Sequence, residues 1–309
     1  MTTTFSEVDH KKVTIMTVIK DFTKRYSVLL YFSLTFALSW SGVLVIIGRS
    51  GELPASMAEL QKLLPVAIVG MLVGPSVAGI LLTGLVYGKE GLRALLSRMR
   101  KWRVGAQWYA IALLTAPLVF AVVCLALSLF SPRFIPGIVV SDDKVTVVLS
   151  GLAAGVMAGI FEELGWTGFA LPRLRQRYGV FASGLIVGVV WGAWHILTNA
   201  YWPSRFTSGE FSQPLFVLVS GFGFLVGQLP AYRVIMAWVY ERTGSLCVAM
   251  LMHTSLTACT LILGPVALSG VALLIYDLAL AVVLWGVVAV FVAANGRRLS
   301  NQASRRLKA

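Results

Sequence analysis

Two adjacent carboxylates, Glu162 and Glu163, lie in the continuous apolar stretch 145–170, and two histidines, His195 and His253, lie in later apolar stretches. Acids and imidazoles are the side chains that exchange protons most readily near neutral pH, so four of them together suit general acid–base work on a water molecule. They also suit metal binding: two imidazoles, one carboxylate and a water complete a tetrahedral zinc site with an open position. On this reading Glu162, His195 and His253 are the candidate ligands and zinc is the candidate cofactor. A charge placed at the middle of a bilayer costs several kcal/mol, so such residues are rarely there without a task.

The elements that must position these residues follow from composition. The chain has 309 residues, of which 58% are hydrophobic and 13% charged. Soluble domains carry about 25% charged residues. The apolar runs are long and continuous, with no alternation at period two, so they read as helices rather than barrel strands. Eight spans are expected, at about 28–47, 63–87, 107–130, 145–170, 180–199, 215–240, 244–263 and 270–294. The fold class is therefore all-α, a polytopic membrane helical bundle. The sixth span is ambiguous: Pro230 and Arg233 make it either a kinked helix or a span followed by a re-entrant piece.

Charge sets the expected orientation. If the first segment is cytoplasmic, 20 of the 26 Lys and Arg residues fall on the inner side. Arg49, Lys62, Arg133, Lys144 and Arg205 fall outside, and Arg233 falls within a span. This asymmetry implies an even number of spans with both termini cytoplasmic, in a multi-pass cell-membrane protein. The net charge of +13 is spread over short loops, which argues against a nucleic-acid partner. Three parts are expected: a basic cytoplasmic segment 1–27, a membrane domain 28–294 and a basic tail 295–309. The first segment lacks the apolar core of a signal peptide. Its Val13, Ile15, Met16, Val18, Ile19 and Phe22 between lysines read as a surface helix on an anionic leaflet or as a basic tail.

Depth brings the polar residues together. Glu162 is ten residues before Pro172, about 15 Å along a helix, which is mid-membrane. His195 lies at least fourteen residues into its span, with Trp191 at i−4 on the same face; His253 lies nine residues past Gly244, with Thr257 at i+4. Taken singly, each histidine reads equally well as an interhelical hydrogen-bonding group. Asp277 is a lone acid on the last span, expected to pair with Arg233, to sit near the outer interface or to cap a water cavity. Gly151 and Gly155 form a Gly-x-x-x-Gly pair, expected to mark close helix packing. Trp40, Trp102, Trp108, Trp202 and Trp285 read as interface anchors, and Cys124, Cys247 and Cys259 as small apolar side chains. There is no His-Glu-x-x-His and no Gly-x-Ser-x-Gly, which removes the soluble zincin and serine-hydrolase patterns.

Three motifs carry a resemblance to a known family. Glu162-Glu163-Leu164-Gly165-Trp166-Thr167 resembles a Glu-Glu-x-x-x-Arg signature and continues through Gly168, Leu171, Pro172, Arg173 and Leu174; Trp191-Gly192-Ala193-Trp194-His195 resembles an aromatic-x-x-x-His signature; and His253 with Thr257 resembles His-x-x-x-Asn. In this combination, over residues 155–260, the chain is similar to the CPBP family of intramembrane proteases, which includes type II CAAX prenyl endopeptidases and bacterial Abi proteins. The resemblance implies a membrane-embedded hydrolase, an endopeptidase acting on a membrane-associated or lipidated peptide or protein, with membrane lipid as its other partner. It implies Glu162 as general base, His195 orienting the water, and His253 with Thr257 steadying the oxyanion. Whether the water is activated by glutamate alone or by a metal (a metalloendopeptidase) stays open.

Thr167 and Thr257 depart from the family's Arg and Asn. Without an arginine at 167, desolvation is expected to favour a protonated Glu163, and Arg233 is the candidate replacement cation. Adjacent helical residues point about 100° apart, so Glu162 is expected to face both histidines while Glu163 supports them. Two other classes remain beside the protease: a non-catalytic immunity or scaffold protein that keeps the fold, and a small transporter with a Glu/His proton relay.

Overall fold

The structure, a computed structural model, describes residues 21–48, 54, 56–207, 209–266 and 268–306. The lysines at 11, 12 and 20, and the surface helix considered for them, lie outside the described residues. The described chain is helical and contains no strand. Eight helices are long and apolar enough to cross a membrane: α1 Ser27–Ile47, α2 Ala58–Met99, α3 Ala106–Ser128, α4 Lys144–Leu174, α5 Val180–Phe206, α6 Gln213–Thr243, α7 Leu246–Leu263 and α8 Gly270–Ala294. These are the eight expected spans, several of them extended beyond the apolar core. The chain is a multi-pass membrane protein.

The sixth span is a single helical run. Within it Gly223–Gly227 forms a π turn, closed by the Gln228 N–H bonding to the Gly223 carbonyl, and regular helix resumes before Pro230. Two further π turns occur, Trp166–Ala170 in α4 and Ile196–Tyr201 in α5. Each lies within a few residues of a candidate site residue. A π turn carries one extra residue and rotates the helix beyond it, which is why such turns recur at functional sites.

Close helix contact depends on glycine at two places. On α4, Gly151, Gly155 and Gly159 recur every four residues and line the face packed against α7; a Cβ on Gly159 would stand 2.5 Å from the Met250 carbonyl oxygen. The expected Gly-x-x-x-Gly contact is therefore present and runs one step further. On α5, a Cβ on Gly188 would stand 2.5 Å from Pro230 Cα on α6. With little hydrophobic drive between helices in lipid, such small-residue seams supply the van der Waals contact that joins them.

An aromatic group packs beneath the site. Tyr31 on α1 meets Trp166 edge-on at 5.4 Å, Trp166 meets Trp194 at 6.0 Å, and Trp194 meets His195 at 4.8 Å. The tryptophans are more internal than their reading as anchors suggested: Trp202 is buried, and Trp40 donates to the Trp194 carbonyl at 3.1 Å. Trp102 is 60% exposed. The three cysteines are free thiols; Cys124 and Cys259 are buried.

The seam predicts a sharp contrast between two glycines. Gly159→Ala should cost about 1–3 kcal/mol, because a methyl group there meets backbone that cannot turn away. Gly286→Ala on α8, where nothing lies within 4 Å, should be neutral or slightly stabilising. Unfolding by denaturing detergent would measure both.

Candidate active site

The α4 glycine face ends on a carboxylate. Counting on by four from Gly159 reaches Glu163, which therefore points at α7, and its Oε1 accepts a hydrogen bond from His253 Nδ1 at 2.7 Å. Glu162, one residue back, turns toward α5, where its Oε2 accepts a hydrogen bond from the Trp191 indole at 2.6 Å. Its Oε1 lies 3.8 Å from His253 Nε2. The His253 ring thus stands between the two carboxylates, bonded to Glu163 and facing Glu162. Glu162 thus faces His253 as expected, and the addition is that the hydrogen-bonded partner of His253 is Glu163.

The α5–α6 contact brings in the missing cation. Arg233 Nη1 lies 2.8 Å from both oxygens of Glu163 and 3.4 Å from Thr167 Oγ1. Arginine only donates, so the Thr167 hydroxyl accepts from Arg233 and passes its own proton's hydrogen bond to Glu163 Oε2. Arg233 stands where the candidate replacement cation was expected: an arginine from α6 supplies the charge that position 167 lacks. Arg233 is fully buried, and its Nε and Nη2 make no hydrogen bond among the described residues. The Trp191 ring centroid lies 4.2 Å from the guanidinium carbon, and this cation–π contact partly replaces them.

Trp191 connects the remaining member. Its carbonyl accepts from His195 Nδ1 at 2.9 Å, and a carbonyl can only accept, so Nδ1 carries the proton in the neutral ring and Nε2 the lone pair. His195 is half-buried and meets the group through Trp191, whose ring also lies 5.0 Å edge-on to His253. The sequence had marked Trp191 only as stacking at i−4; its indole donor to Glu162 went unforeseen, though an aromatic in the His195 motif was the available signal. Thr257 is half-buried one turn beyond His253, and no hydrogen bond joins it to the carboxylates. Asp277 does not pair with Arg233; its Oδ1 accepts from Gln228 at 2.9 Å.

The described residues include no group of three His, Cys, Asp or Glu side chains arranged to hold a metal. His253 Nδ1 is committed to Glu163, which leaves Nε2 as the ring nitrogen facing Glu162. Glu162, His195 and His253 are not drawn together as such a group among the described residues.

Residues 144–259 match the family model for type II CAAX prenyl endopeptidase, Rce1-like. A CAAX prenyl protease 2 from Methanococcus maripaludis is 24% identical over 243 residues, covering 74% of this chain and 82% of the relative. The chain is similar to that family over residues 144–259, which include Glu162, Glu163, His195, Arg233, His253 and Thr257.

The Arg233–Glu163 pair has a measurable signature. Arg233→Met should destabilise the fold by about 3–5 kcal/mol, since it strands a buried carboxylate. Adding Glu163→Gln should recover much of that loss, because the stranded charge is gone. A double-mutant cycle in denaturing detergent checks this; additive losses would mean that the two residues are not energetically coupled.

Proposed function

We propose that the chain is an intramembrane endopeptidase that hydrolyses a peptide bond with a water activated by Glu162. The observation that carries this reading is the unequal treatment of two neighbouring carboxylates. Glu163 is saturated by Arg233, His253 and Thr167. Glu162 has one oxygen held by Trp191 and the other facing His253 Nε2 at 3.8 Å, beyond hydrogen-bond length. Of the two, Glu162 has the oxygen available to take a proton.

The roles follow from the donors and acceptors. Glu162 Oε1 takes a proton from the water, and His195 Nε2 accepts the water's other hydrogen bond and orients it. The water oxygen bonds to the scissile carbonyl carbon. The resulting oxyanion forms beside the His253 ring, which Glu163 holds in place through Nδ1. Thr257, one turn away, adds a hydroxyl where the resembled motif has an amide. The C–N bond then breaks as the proton held by Glu162 passes to the leaving amine. Glu163 and Arg233 position His253 and touch no reacting atom.

The surroundings support one class of substrate. A site buried among membrane helices meets peptides that are themselves membrane-associated or lipidated. The archaeal relative is by its name a CAAX prenyl protease, so a prenylated C-terminus belongs to that class. The scaffold reading drew on Thr167 and Thr257. Arg233 supplies the cation missing at 167, so only Thr257 still favours it.

Glu162→Gln should lower turnover about 10²–10⁴-fold while leaving the protein folded, the range for loss of a general base. Comparing the termini of membrane proteins in cells carrying the wild type and the variant tests this and names the substrate. A new terminus present in both would overturn the assignment. Activity lost to a chelator and restored by zinc would replace the glutamate mechanism with a metal one.

A further inference from the structure

Beyond its membrane core, α2 continues as an interfacial piece. Gly88, at φ +64°, breaks the helix, and the chain resumes as helix to Met99. In this piece Leu95 is buried while Leu92 and Leu96 are exposed at 37% and 43%. The next turn holds Arg100, Lys101, Trp102 and Arg103, all exposed. Exposed leucines and a tryptophan interleaved with arginines are the composition of a segment lying at the lipid–water boundary.

This turn is fixed by its neighbours. Arg98 donates to the Tyr240 hydroxyl on α6 at 2.8 Å and to the Gly168 carbonyl on α4 at 2.9 Å. Ser245 donates to the Lys101 carbonyl at 2.5 Å, and the Tyr109 hydroxyl donates to the Trp102 carbonyl. Arg98 is thus consumed in holding the frame. Arg93, Arg100, Lys101 and Arg103 are not: they converge, with Leu96, Ser97 and Trp102, on one open depression of about 630 Å³. No carboxylate among the described residues forms an ion pair with any of the four.

Cations spread along an inner loop need no ligand, since they serve orientation alone. Four that share one fixed depression repel each other and are relieved by a multivalent anion. The same end of the bundle carries Arg173 and Arg175, with Arg173 over the Tyr87 ring at 5.3 Å, and is the end that charge asymmetry assigns to the anionic cytoplasmic leaflet. We propose that this depression binds the phosphate of an anionic phospholipid headgroup, with Trp102 and Leu96 against the first part of its chains. Arg98, in the same segment, ties it to the π turn just beyond Glu162 and Glu163. The inference stands apart from the protease assignment, because it concerns binding alone.

The test uses the full chain in neutral detergent, titrated with dihexanoyl phosphatidylglycerol and with dihexanoyl phosphatidylcholine. The glycerol lipid should bind at least about tenfold more tightly, and added sodium chloride should weaken it. Each of Arg93→Gln, Arg100→Gln, Lys101→Gln and Arg103→Gln should weaken binding about fivefold, the effect of one cation near an anionic surface. An Arg100→Lys variant should bind as the wild type does and controls for folding. Equal affinity for the two lipids, or no loss in the Gln variants, overturns the proposal. So does inorganic phosphate binding as tightly as the lipid, or an acidic peptide displacing the lipid at lower concentration.

Discussion

A carboxylate in the interior of a membrane protein must be paired, because neither lipid nor packed helix offers it solvation. Glu163 is that carboxylate here, and much of the site's arrangement follows from satisfying it. Its donors come from three helices: Thr167 from its own, His253 from α7 and Arg233 from α6. None of the three can move without stranding a charge, so the ion pair locks the relative positions of α4, α6 and α7 at mid-membrane depth. The neighbouring Glu162 gains from this without taking part. Its surroundings are held still, while one of its own oxygens stays outside the donor set.

Two glycine seams make the pairing sterically possible. The α4–α7 contact at Gly159 lets Glu163 reach His253, and the α5–α6 contact at Gly188 brings Arg233 beside Trp191. Each seam lies next to the polar residue that it serves. Trp191 is the point where the two halves meet. It donates to Glu162, accepts from His195 and stacks on Arg233, so one side chain and its carbonyl hold three members of the site. The π turns beside these residues add rotation that a regular helix would not supply. The same frame extends to the membrane surface, where Arg98 ties the end of α2 to the carbonyl of Gly168 within one of those turns.

The eight spans and the four titratable residues were legible in the sequence because both are written in local terms. A span is a run of apolar residues, and an acid or imidazole inside one stands out by cost alone. The motifs around Glu162, His195 and His253 were enough to point to the family later matched over residues 144–259. Even the partner of Glu163 was legible: Arg233, an arginine stranded in a span, was the candidate for the cation missing at 167. The every-fourth-residue pattern from Gly151 to Gly159 also carried the direction of Glu163, had it been extended by one step.

What the sequence could not carry was the sharing of contacts between the two glutamates. Residues 162 and 163 are chemically identical and adjacent; only the azimuth at which α5, α6 and α7 pack around α4 decides which one meets Arg233 and which meets Trp191. Nor did spacing show that Asp277 would find Gln228 instead of Arg233, or that four basic residues after Gly88 would gather on one depression. The sequence determined which groups this membrane must bury and where along the chain they enter it, because burial cost is a property of the residue. Which of them pair was decided by tertiary structure, because a hydrogen bond depends on direction and distance between helices that are far apart in the chain.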